Sequence, residues 1–156
     1  AVAKEGVLDR LQGCVDRVAA AGAMGILLMC TGKFPPFRSP VPIYQPDRLL
    51  RAAVDGLVGP EQRLGVLSPL AAQVPAAPGK WAGEGRRVVA VSASPYHGEE
   101  ELLTGARQLV ALEPDVVLLD CMGYRVAHKH AVRALFPSRP VILANTAVAR
   151  ILAEVL

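Results

Sequence analysis

The sequence predicts an α/β fold, with parallel sheets flanked by helices. Two observations carry this. Short unbroken apolar runs recur along the chain, as in strands covered on both faces of a sheet. Between them lie stretches with apolar residues at helical spacing, so that helix and strand alternate through short connections. Parallel strands joined by right-handed crossovers are the architecture that such alternation adopts.

Each element follows from local sequence. Val7, Leu8, Leu11, Val15 and Val18 share one side of a helix expected from about Glu5 to Ala21, with Gly22 as its stop. Residues 24–29 predict a first strand. Residues 30–45 are expected to be irregular, because Pro35, Pro36, Pro40 and Pro42 withhold backbone donors. Pro46-Asp47 opens a helix to about Val58, with Leu49, Leu50, Ala53, Val54 and Leu57 on one face, and Gly59-Pro60 ends it. Residues 63–67 predict a second strand. From Ser68 to Gly85 the chain turns to Ala, Pro and Gly, which predicts a long surface segment with one short helix and Trp81 as its only aromatic. Residues 87–92, 115–119 and 140–144 predict three further strands. Helices are expected over about 98–112 and 125–135, and Asn145 is expected to cap a last helix to Leu156.

The 156 residues suffice for one ordinary domain or two small lobes, and 52% apolar content builds a core without disulfide or metal. Only 20% of residues are charged, which argues against disorder. No apolar run approaches the roughly 20 residues of a membrane span, and no segment reads as a signal peptide. A cytoplasmic location is expected, with three reduced cysteines, an odd number that suits free thiols. The net charge of +3 is scattered, and the seven aromatics do not alternate with basic residues. Nucleic acid and membrane are therefore not expected partners; a small anionic carboxylate suits the balance better, and homodimerisation is left open.

The chemistry centres on Cys30 and Cys121. Each follows an apolar run and precedes a glycine-containing turn: Gly25-Ile26-Leu27-Leu28-Met29-Cys30-Thr31-Gly32 and Val116-Val117-Leu118-Leu119-Asp120-Cys121-Met122-Gly123-Tyr124. Ligands of open parallel sheets bind at the carboxyl ends of strands. Lys33 and Arg38 follow the first thiol, and Arg125, His128 and Lys129 the second; cations favour the thiolate. One thiolate taking a proton from a carbon while the opposite thiol returns one would invert that carbon without a cofactor. The alternative is that both are core cysteines, since this residue type is commonly buried. Cys14, beside Leu11 and Val18 on a helical face, is expected to be structural.

Small polar groups follow the predicted strands: Thr31 and Gly32, Gly123, Ser68 and Ser94, then Asn145 and Thr146; the candidate substrate-binding residues are Thr31, Gly32, Ser68, His97, Met122, Gly123, Tyr124 and Asn145. Such groups hold carboxylates at helix N-termini, and ordinary capping explains Asn145 equally. Asp120 ends an otherwise apolar strand, to orient a neighbour or to form a turn. His97, in a strand-to-helix loop, is a candidate carboxylate ligand or acid, although loop histidines are commonly just solvated. His128 and His130 are two apart and so lie on different helix faces. No metal-binding, dinucleotide-binding or P-loop motif is present, so neither a metal nor a cofactor is expected.

The stretch from Asp115 to Tyr124, continuing through Arg125 to His130, Pro140 to Asn145 and Ala149-Arg150, resembles the AroM-like family, within the aspartate/glutamate/hydantoin racemase superfamily. Weaker likeness reaches back through Pro95 and His97, Leu64 to Val66, and Leu27 to Thr31. The resemblance implies two flavodoxin-like lobes with a cleft between them. It places residues 1–62 in a first lobe lacking its opening strands, about two βα units or roughly 60 residues. Residues 63–144 would form the second lobe, and 145–156 a C-terminal helix packing on the first. It also puts Cys30 and Cys121 at the two thiol positions. Where those racemases follow the thiols with Asn-Thr and Thr-His, this chain has Thr31-Gly32 and Met122-Gly123.

Three functions remain after this reading. The first is a cofactor-independent isomerase or racemase acting on a small carboxylate through Cys30 and Cys121. The second is a non-catalytic protein that binds small anions or regulates on the same scaffold. The third is a redox-sensitive thiol pair, which would need Cβ atoms within about 4.5 Å.

Overall fold

The computed structural model describes residues 7–156, and the chain divides into two compact units, Ala1–Asp47 and Arg48–Leu156. Glu5 and Gly6, at the start of the expected first helix, lie outside the described residues.

In the first unit, α1 (Leu8–Ala20) is amphipathic, with Val15 as its buried residue. It ends where Gly22, at φ +87°, takes up the left-handed conformation that glycine adopts without strain. The expected strand over 24–29 contracts to β1 (Ile26–Leu27), and it pairs in parallel with β2 (Ile43–Tyr44), a strand inside the segment expected to be irregular. The reason is local. Ile43 and Tyr44 lie between Pro42 and Pro46, so they keep their amides, while the chain around them still accepts: Ile26 N donates to Pro42 O at 2.9 Å and Leu28 N to Tyr44 O at 3.1 Å. Gly25 is required here, since a Cβ would lie 2.8 Å from the Tyr44 ring. The loop between the two strands is held by Gln12 of α1. Its side chain donates to Arg38 O at 2.9 Å and accepts from Arg38 N at 3.0 Å.

The second unit contains a four-stranded parallel sheet of β3 (Arg63–Ser68), β4 (Arg87–Ser92), β5 (Val116–Leu119) and β6 (Val141–Leu143), in the order β4-β3-β5-β6. Counted within this unit, the order is 2-1-3-4, the flavodoxin-like pattern. Its helices are α2 (Pro46–Leu57), which falls in this unit but for its first two residues, α3 (Ala77–Trp81), α4 (Glu99–Val110), α5 (Val126–Leu135) and α6 (Ala144–Ala153). Strand residues alternate between the two faces of the sheet. One face sets Leu67, Val117, Leu119, Val141 and Leu143 into a cluster with Leu102, Ala106 and Leu109 of α4 and Val132 of α5. On the other, Leu64, Val66, Val116 and Leu118 are buried too, so both faces are covered, as the unbroken apolar runs require. Gly65 admits close helix packing: a Cβ there would lie 2.7 Å from Pro114 Cβ and 3.1 Å from Leu109 Cδ1.

The stretch after β3 is mostly exposed, as expected of a surface segment, except at Ala77 and its tryptophan. It forms a 3₁₀ helix, Ala71–Ala76, and then α3, whose Trp81 is completely buried. Arg51 of α2 donates to the Lys80 carbonyl and lies 5.9 Å from the centre of the Trp81 ring.

Candidate functional site

In an open parallel sheet the binding crevice lies outside the carboxyl ends of the strands, where the strand order reverses. In the second unit that point is between β3 and β5. Ser68, buried, closes β3, and Asp120-Cys121 follows β5. Asp120 N donates to Leu67 O at 3.0 Å, which carries the ladder one residue past the strand.

Asp120 and Cys121 leave the sheet on opposite faces. Cys121 is half-buried and packs against the α4–α5 cluster. Its sulfur accepts from Gly123 N at 3.4 Å. The Asp120 carboxylate is buried and meets Lys80 Nζ at 2.9 and 2.7 Å, one contact to each oxygen, and Trp81 Nε1 at 2.9 Å. Lys80 Nζ also lies 4.8 Å from the centre of the Trp81 ring. The polar end of an apolar strand is thus an anchor for α3.

The turn after Cys121 is held from two sides. Tyr124 is fully buried, and its hydroxyl donates to Ala93 O and lies 3.4 Å from Leu67 O. Burial, and then the negative charges of Cys121, Asp120 and Glu101, push its phenol far above the usual tyrosine range. Asn145 Nδ2 donates to Met122 O at 3.2 Å and to Tyr124 O at 2.6 Å. Asn145 is therefore not the cap of the last helix. That helix begins at Ala144, and the amide ties it to the cysteine turn instead.

The β4–α4 loop carries His97. Its Nδ1 lies 2.9 Å from Glu101 Oε2, while Glu101 Oε1 accepts from Ser94 N at 3.0 Å. The Ser94 amide, and then the His97 hydrogen bond and charge, outweigh partial desolvation and hold the Glu101 carboxyl below its ordinary range. An ionised carboxylate accepts, so Nδ1 carries the proton. On α5, the ring of His128 accepts from Arg125 N at 3.2 Å, and burial followed by the Arg125 charge lowers its pKa.

In the first unit, Cys30 is exposed, Thr31 is buried, and the Cys30 sulfur accepts from Gly32 N at 3.4 Å. The two thiols therefore share one local geometry: a cysteine after a parallel strand, its sulfur receiving the amide of a glycine two residues on. An N–H aimed at sulfur favours the thiolate. Cys14 does not fill the expected core position. It is exposed, with Arg17 Nη2 at 3.1 Å from its sulfur, because α1 turns Val15 inward instead.

Sequence reading missed Lys80, Trp81 and Glu101. Glu101 was open to discovery, since it stands four residues from His97 at the start of a helix. Lys80 had no such signal, because its partner is 40 residues away. Among the described residues, no group of three His, Cys, Asp or Glu side chains is placed to hold a metal ion. Among them, too, no helix is long and apolar enough to cross a membrane.

Residues 1–156 match the family described as AroM protein. The chain belongs to the AroM family. Its fold is similar to that of glutamate racemase from Francisella tularensis subsp. tularensis SCHU S4, solved in complex with D-glutamate, with a TM-score of 0.68 and 12% identity. That match covers 100% of this chain and 65% of the racemase. Aspartate racemase from Picrophilus torridus superposes with a TM-score of 0.61 and 14% identity over 94% of this chain and 68% of its own. At such identities the likeness is one of fold. No curated protein matches this AroM-family sequence.

Proposed function

We propose that this AroM-family chain is a cofactor-independent isomerase of the racemase type, acting on a small carboxylate with Cys30 and Cys121 as its acid–base pair. The observation that carries the reading is the repeated cysteine turn: in each unit a strand-end sulfur receives a glycine amide at 3.4 Å. A thiolate so stabilised takes the proton on the carbon next to the carboxylate, leaving the electron pair delocalised into the carboxyl group. The other thiol delivers its proton to the opposite face. The two sulfurs exchange protonation states, and the carbon is inverted with no net redox change.

The remaining roles follow from position. Gly32 and Gly123 supply the amides at sulfur, and Thr31 and Met122 complete the two turns. Ser68 closes β3 and His97 stands in the β4–α4 loop, where the substrate carboxylate would be held. Tyr124, fully buried, and Asn145, both expected from sequence to bind substrate, instead support the Cys121 turn. The similarity to glutamate and aspartate racemases supports an amino acid or a related small acid as substrate.

Deuterium incorporation at the α-carbon tests the proposal. A panel of D- and L-amino acids and 2-substituted carboxylic acids is incubated in heavy water with the wild type and with Cys30→Ser and Cys121→Ser. Wild type is expected to exchange at least one acid, and each substitution to reduce exchange at least about a hundredfold, the lower end of a positioned acid–base group's contribution. No exchange across the panel removes the isomerase reading. Exchange indifferent to both substitutions removes the cysteines from it.

A further inference from the structure

Gly123 does more than donate an amide. A Cβ built on it would collide with the Tyr96 hydroxyl, and would lie 2.7 Å from Tyr96 Cζ and 3.3 Å from Pro95 Cγ. The tip of the Tyr96 side chain therefore occupies the space that any other residue at position 123 would fill. Gly123 does not adopt a positive φ, so its conformation does not require glycine; a side chain there would instead have to push the neighbouring phenol aside. Most of Tyr96 is nevertheless exposed, at 72% of its surface. An exposed aromatic side chain whose polar tip rests against a backbone turn is oriented for something beyond packing.

The loop that carries Tyr96 is fixed. Tyr96 N donates to Ser94 Oγ at 3.2 Å, Ser94 N donates to Glu101 at 3.0 Å, and His97 is tied to the same carboxylate at 2.9 Å. The backbone that carries the phenol is thus anchored, and its tip lies beside Gly123, whose amide reaches the Cys121 sulfur.

We propose that Tyr96 is a substrate-binding residue, its hydroxyl donating to the carboxylate of a ligand at Cys121, and that glycine at position 123 is what admits it there. This rests on reading Cys121 as facing a carboxylate site. A phenol suits that role because it donates one directed hydrogen bond and, being neutral when protonated, contributes no positive charge to the neighbouring thiol.

Two alkylating reagents of similar shape provide the test: iodoacetate, which carries a carboxylate, and iodoacetamide, which does not. Their rates at Cys121 are followed on the intact protein by peptide mass spectrometry, and the ratio of the two rates cancels changes in thiol ionisation and exposure. A hydrogen bond from a hydroxyl to an ionised carboxylate is expected to change the ratio by roughly tenfold to a hundredfold. Tyr96→Phe should lower the ratio by that amount, with the iodoacetamide rate within about twofold of wild type. Gly123→Ala, permitted by its backbone, should lower the ratio similarly by displacing the hydroxyl. The double variant should fall no further than either single one, because both act through one group. An unchanged ratio in Tyr96→Phe overturns the proposal, as does an equal fall with both reagents or an additive fall in the double variant. Deuterium exchange is a separate readout. If no acid exchanges but the ratio still depends on Tyr96, the isomerase reading fails and the carboxylate contact stands.

Discussion

Lys80→Met tests whether the anchor at the end of β5 holds the second unit together. The substitution keeps an unbranched apolar stem beside the Trp81 ring and removes only the charge. Asp120, buried, would then retain Trp81 Nε1 at 2.9 Å and lose two contacts at 2.9 and 2.7 Å. Removing one partner of a fully buried ion pair costs about 3–5 kcal/mol. The Lys80 side chain is 21% exposed, so water reaches part of the pair and about 2–3 kcal/mol is the fitting expectation. For a chain of this size that corresponds to a fall in Tm of roughly 4–12 °C. Urea unfolding followed by far-ultraviolet circular dichroism measures it, with the change read from the midpoint at constant slope. Lys80→Met with Asp120→Asn, which removes the charge but keeps an acceptor for Trp81 Nε1, supplies the contrast. With both charges gone no buried charge is left uncompensated, and at least half of the lost stability should return. A loss below about 0.5 kcal/mol in Lys80→Met would place the pair among ordinary surface ion pairs and refute the argument.

Three further outcomes are expected. Gly65→Val should destabilise by about 1–3 kcal/mol in the same urea assay, because its side chain would enter the space of Pro114 and Leu109; a neutral result would mean that α4 is not closely packed there. Tyr124 has its phenol pKa raised above the unfolded value, so its contribution to stability is complete below about pH 10 and declines as pH rises beyond it. Alkaline titration at 295 nm should therefore show one tyrosine ionising only with unfolding, and Tyr124→Phe should abolish that late step; three tyrosines titrating together in the folded protein would contradict this. Asn145→Ala should increase amide exchange at residues 122–124 and cost about 1 kcal/mol, since it removes both side-chain donations to that turn; unchanged exchange would show that the turn holds itself.

Strands β3, β4, β5 and β6 were legible because a strand covered on both faces leaves an unbroken apolar run, as at Val116–Leu119. The first helix and α2 were legible from their apolar stripes. β2 was not, because its two residues sit among prolines, and a composition rich in proline conceals such a strand. Trp81 was unreadable for a different reason. Its segment is rich in Ala, Pro and Gly, and the tryptophan is buried by partners far along the chain. At the candidate site, the two cysteine–glycine turns could be seen in the sequence. The Tyr96–Gly123 contact could not, since the residues are 27 apart (123 minus 96) and belong to different loops.

The sequence by itself determined the alternation of helix and strand, the parallel architecture and the placement of both thiols at strand ends, since each depends on local pattern and on burial that the pattern demands. Tertiary structure alone decided that Asp120 anchors α3 through Lys80 and Trp81, that Asn145 braces the Cys121 turn rather than capping its own helix, and that Tyr96 stands over Gly123. Those are pairings of polar groups between distant segments. A polar side chain in a linear sequence shows what it can donate or accept, but only the folded chain brings it to its partner.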